Sequence, residues 1–137
     1  MWWMYALGSA VFAALTAVFA KTGIKGVDSN LAVAIRTVVI LIMAWVVVLV
    51  RGSASSFNLL SKQNLIFIGL SGITTGLSWI FYFKALEKGN LAQVAPVDKL
   101  SLALTIIFAV IFLGETLSVK TAIGAACILA GTVIIIL

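Results

Sequence analysis

Histidine is absent from the 137 residues, and the chain has one cysteine, one proline and only 9% charged residues. Without histidine, and with no serine or cysteine set beside a base, nucleophilic and hydrolytic chemistry has no constellation to stand on. A lone Cys127 excludes an intrachain disulfide, and no second soft ligand exists to complete a metal site; no metal and no cofactor are expected. The basic residues outnumber the acidic ones for a net charge of +5, but they are scattered singly. No cluster of the kind that grips a phosphate backbone results, so nucleic acid is not an expected partner. The opening Met-Trp-Trp-Met-Tyr has no basic flank, which argues against a cleaved signal peptide.

What is present is apolar. Hydrophobic residues make up 64% of the chain and the mean hydropathy is +1.27, a surface that polar groups cannot cover in water. Five runs of membrane-crossing length emerge, at about 2–20, 31–50, 65–86, 91–113 and 118–137. The expected fold is all-α, a polytopic membrane protein of five transmembrane helices in a single domain, with the lipid bilayer as its solvent. Trp2, Trp3 and Tyr5 form an interfacial anchor for the first span, and Ser29 or Asn30 is placed to cap the second.

The fourth run is the odd one, because Pro96, Asp98 and Lys99 fall within its first half. Each central charge costs roughly 2.5–3.5 kcal/mol, and each Leu, Ile, Phe or Val returns about 0.3–0.6. Its thirteen such apolar residues return roughly 5 kcal/mol, about what the two charges cost. So marginal a span needs partners for its charges. Pro96 biases Ala95 away from helix, which makes it either a packing kink or a hinge beside a polar cavity. Asp98 and Lys99 point about 100° apart on a regular helix, so they are not expected to face each other. Asp98 lies on a stripe with Ser101 and Thr105, the best candidate for a cavity lining. Two readings stay open: a structural ion pair involving Arg36 or a partner chain, or proton exchange at Asp98 with Lys99 and Arg36 meeting an anionic group. With one of two bases neutralised, an anionic or zwitterionic solute is indicated.

A second stripe, Ser71, Thr75, Ser78 and Tyr82, recurs at the helical period in the third run. Its hydroxyls either line a cavity or bond back to their own helix. Trp79 and Phe83 stand beside it, to stack on a solute or to pack in the core. Gly72 and Gly76, and Gly124 with Gly131, are small-residue positions suited to helix or dimer packing.

Orientation is nearly unspecified. Arg51, Lys62 and Lys120 lie on the side of the N-terminus, against Lys21, Lys25 and Lys88 opposite, with Lys84 at the border. Two readings stay open, one orientation fixed by a weak preference or insertion both ways round, and the second is the sharper expectation. An odd number of spans reaches the inverted-repeat plan of many transporters only by pairing with an upside-down copy, so an antiparallel homodimer is expected.

Five segments carry a family likeness. Ala85-Leu-Glu-Lys-Gly-Asn-Leu-Ala-Gln-Val-Ala-Pro96, Phe112-Leu-Gly-Glu-Thr-Leu-Ser118 and Ile123-Gly-Ala-Ala-Cys-Ile-Leu-Ala-Gly131 resemble an EamA domain of the drug/metabolite transporter superfamily. Ser29-Asn-Leu-Ala-Val-Ala-Ile-Arg36 is similar to that family's Arg-bearing second helix, and Ala95 to Ser101 suits its five-span, single-domain branch. The likeness implies an EamA-type half-transporter, not an enzyme, moving small metabolites by alternating access in the cell (inner) membrane. By family pattern Glu115 is a loop cap. The related four-span exporters couple protons through a Glu in their first helix. This chain has no acid between Trp2 and Ala20, which leaves Asp98 as the membrane-embedded carboxylate. The rival readings are a flippase for a lipid-linked headgroup and a non-transporting membrane scaffold.

Overall fold

The structure is a computed structural model describing residues 1–137. It contains no strand: α1 (Trp2–Gly23), α2 (Ser29–Val50), a 3-10 turn (Ser53–Leu59), α3 (Lys62–Lys88), α4 (Leu91–Asp98), α5 (Leu100–Leu113) and α6 (Val119–Ile136) follow in order. Five spans are long and apolar enough to cross a membrane, the fourth being Leu91–Leu113, which comprises α4 and α5. The first three spans are longer than the sequence pattern suggests. The third begins at Lys62 and ends at Lys88, because polar residues at a membrane interface continue a helix once its core is apolar.

Helix ends are set by local chemistry. α2 is capped by Asp28 rather than by Ser29 or Asn30: its Oδ1 accepts the N–H groups of Asn30 at 2.9 Å and Leu31 at 3.0 Å. One carboxylate oxygen thus satisfies two of the orphan donors every helix start leaves, and Ser29 is already the first helical residue. Asp28→Ala is expected to lower stability by about 1 kcal/mol and Asp28→Asn far less, read by thermal unfolding in detergent. α3 starts behind Ser61, whose Oγ accepts the Asn64 N–H at 3.1 Å. α5 stops at Gly114, whose φ of 66° is left-handed and open to glycine at little cost. Capping in that loop falls to Ser118, which accepts the Thr121 N–H at 3.1 Å, and not to the Glu115 side chain.

By contacts the chain forms two compact units, Phe19–Glu87 and Met1–Val18 with Lys88–Leu137. In the first, Ile24, Val33 and Phe83 are buried together, with Ala20, Ala32, Trp79 and Tyr82 packed on them. Its α1 and α3 ends are joined by Lys21, whose Nζ donates to the Leu86 carbonyl at 2.5 Å. That carbonyl belongs to the last turn of α3, where a cation suits the dipole. In the second unit α4 and α5 both pack on α6. No residue of α4 or α5 is fully buried.

Candidate functional site

In the unit Phe19–Glu87, α2 supplies Arg36 and α3 supplies the aromatic side chains that hold it. The Arg36 Cζ lies 4.1 Å from the Trp79 ring centroid and 5.5 Å from that of Phe83. A guanidinium over an aromatic face is attracted by the ring quadrupole, by about 0.5–1 kcal/mol where exposed and about 2 where desolvated. The helical period brings this about. Trp79 and Phe83 are one turn apart on α3, so both rings reach one side chain of α2. Neither carboxylate of its own unit, Asp28 or Glu87, lies within ion-pair distance of Arg36. Phe83, at 3% exposed, is a core residue and not a platform for a solute. Tyr82 packs on the same cluster.

In the unit completed by Lys88–Leu137, the fourth span breaks. The helix runs on through Pro96, and the interruption falls three residues later, at Lys99. Pro96 has no N–H to give to the Ala92 carbonyl, and the bonds that follow are tightened: Lys99 N–H to Pro96 C=O and Leu102 N–H to Lys99 C=O, each 3.0 Å. The break corrects the expectation from regular helix geometry. Asp98 and Lys99 do face each other, with Nζ 3.6 Å from Oδ2. Their side chains remain 37% and 53% exposed, respectively, so the rest of the chain does not enclose the pair. The stripe of Asp98, Ser101 and Thr105 is consequently divided between two helices instead of continuing along one.

Beside the break is an open groove of about 450 Å³ lined by Pro96, Lys99, Cys127, Gly131, Thr132 and neighbouring aliphatic residues. Sequence reasoning assigned Gly131 to packing alone and overlooked Thr132. Thr132 was findable as the one hydroxyl in the apolar second half of α6. Its Oγ1 donates back to the Ile128 carbonyl at 2.9 Å, so its one donor is used within α6. Lys21 was also overlooked. It reads as an ordinary interfacial lysine, and only the fold shows the carbonyl it serves.

The hydroxyl stripes divide. Thr75 donates to the Ser71 carbonyl at 2.7 Å and Thr105 to the Ser101 carbonyl at 2.8 Å, the back-bonding that competes with a cavity role. Ser71 and Ser78 are exposed on α3, as Ser101 is on α5. A Cβ added at Gly72, Gly76, Gly124 or Gly131 meets no atom of the chain within 4 Å. These glycines therefore leave room for another helix to approach.

The profile of the EamA-like transporter family matches residues 1–137. Over 134 residues the chain is 46% identical to an uncharacterized transporter in the cobO 3′ region of a Sinorhizobium species, covering 98% of this chain and 95% of that protein. Over 129 residues it is 34% identical to human (Homo sapiens) solute carrier family 35 member G1. That match takes in 93% of this chain but 34% of the human protein, so the chain spans about a third of that relative. No solved structure matches.

Proposed function

The chain belongs to the EamA-like transporter family, and from that premise we propose that it is a secondary carrier of a small polar metabolite, working by alternating access as an antiparallel homodimer. It is a multi-pass membrane transporter of the drug/metabolite type and not an enzyme. The observation that carries the proposal is the Asp98–Lys99 pair at the helix break, charged and half-exposed inside a membrane span. Charge at that depth is tolerated beside protein partners or water, and irregular backbone only where it lines a cavity or is covered by protein. Discontinuous helices form the solute sites of many transporters near the bilayer midplane, and a span interrupted at a charged pair fits that plan. Residues 1–137 act as one half-transporter in the cell membrane, and a second, inverted copy completes the carrier. Helices of that copy are proposed to approach at Gly72, Gly76, Gly124 and Gly131, where small residues permit close contact. Asp98 and Lys99 are the residues proposed to contact the solute, and Arg36, Trp79 and Tyr82 form a separate candidate contact within their own unit.

A thermal-shift screen of the purified protein against metabolites identifies the solute, since a ligand that binds only the folded form raises its stability. Exchange of that solute is then followed in liposomes. Asp98→Asn and Lys99→Ala are each expected to slow exchange at least tenfold while the dimer survives on gel filtration. Unchanged exchange after both are replaced by leucine would reduce the pair to fixing helix register, and the proposal would be lost.

A further inference from the structure

A second cavity lies wholly within the unit Phe19–Glu87, where α1 ends, α2 begins and α3 ends. Its volume is about 390 Å³, within the range of small-molecule sites. Lys21, Lys25, Asp28 and Glu87 line it, two charges of each sign, beside a wall that includes Ile24 and Leu86. Two of the four charged groups are committed within the chain. Lys21 donates to the Leu86 carbonyl, and Asp28 caps α2. Lys25 and Glu87 are exposed, and no ion pair joins them to each other or to another charge of their unit. A cavity that holds opposite charges apart is complementary to a ligand that carries both.

We propose that this cavity binds the headgroup of a phosphatidylethanolamine lipid, its phosphate at Lys25 beside Lys21 and its primary ammonium at Glu87. Three observations select that class. The cavity stands at three helix ends of a five-span protein, the level at which lipid headgroups lie. Its lining charges balance, so a headgroup with one phosphate and one ammonium leaves no excess, whereas a purely anionic headgroup brings no cation for Glu87. The lining also holds no aromatic ring, and aromatic cages are what recognise the quaternary ammonium of choline. A primary ammonium instead donates charge-assisted N–H bonds to a carboxylate, and the C-terminal end of α3 carries the partial negative charge that favours it. The lipid is a resident ligand, and its binding does not depend on the carrier reading above.

The test is thermal unfolding of the purified full chain in detergent micelles doped, at equal mole fraction, with one dioleoyl lipid at a time. The series is phosphatidylethanolamine, its N,N-dimethyl form, phosphatidylcholine and phosphatidylglycerol. Phosphatidylethanolamine is expected to raise the midpoint by a few degrees, the dimethyl form by less, and the other two hardly at all. Glu87→Gln and Lys25→Gln change exposed side chains and should unfold like the wild type without lipid. Each should need about ten times more phosphatidylethanolamine for the same shift, the loss of one charge-assisted contact. Glu87→Asp, which keeps the acceptor, should retain most of the response. Glycerophosphoethanolamine, the headgroup without its tails, should act only at far higher concentration. No shift, an equal shift with phosphatidylcholine, a larger one with phosphatidylglycerol, or a shift that survives both substitutions would each overturn the proposal. Glycerophosphoethanolamine as potent as the lipid would also overturn it, and would make the cavity a site for a soluble zwitterion.

Discussion

Pro96→Ala is expected to make the protein more stable and less active. The substitution restores an N–H to residue 96 and removes the ring that crowds the Ala92 carbonyl. Proline in a helix interior costs about 3 kcal/mol relative to alanine. The unfolded chain loses some rigidity in exchange, worth about 0.4–1 kcal/mol, so a net gain of about 2 kcal/mol is expected. With the tightened turn at Lys99 relaxed, α4 and α5 merge into one helix across Leu91–Leu113. Asp98 and Lys99 then separate by about 100°, and the 3.6 Å pair opens. Turnover in liposomes should fall more than tenfold while the unfolding midpoint in detergent rises. A variant that is more stable and equally active would show that the break only accommodates packing.

Two oppositely charge-biased variants should each fail alone and work together. The wild type has three basic residues on each side, with Lys84 at the border, and such parity gives insertion no preferred sense. Ser55→Lys with Ser56→Lys loads the exposed 3-10 segment after α2; Arg51→Gln with Lys62→Gln strips the same side. Each pair of changes fixes one orientation, opposite in the two variants. In an antiparallel dimer, either variant alone lacks its inverted mate, so transport should drop more than tenfold. Co-expression should return at least half of the wild-type rate. Single-cysteine labelling at the loops in a Cys127→Ser background reports the sidedness: both faces for wild type, one for each variant. Full activity from a variant labelled on one face alone would end the inverted pairing.

The span pattern was legible because a bilayer imposes a length and an apolarity that few other environments demand. Arg36, Pro96, Asp98 and Lys99 stood out for the same reason: charge and proline are costly there. Their geometry was not. Asp98 and Lys99 look incompatible on an ideal helix, and the tightened turn that brings them together depends on carbonyls and donors three residues apart. Trp79 and Phe83 read equally well as platform or core until α2 is set against α3. The cap at Asp28 was missed in favour of Ser29 because adjacent polar residues compete for one position, and backbone dihedrals decide between them.

Composition by itself therefore determined the solvent, the helical class and the number of crossings, since each follows from how much apolar length hydrocarbon requires. Family membership followed from motifs that stand contiguous in the chain. The tertiary structure decided which faces meet: a guanidinium resting on an indole, a lysine closing the end of another helix, and a proline whose effect surfaces three residues downstream. The physical reason is that a side chain's partners across helices depend on rotation and register. Hydrophobic burial is indifferent to both, whereas cation–π contacts and hydrogen bonds are directional and register them.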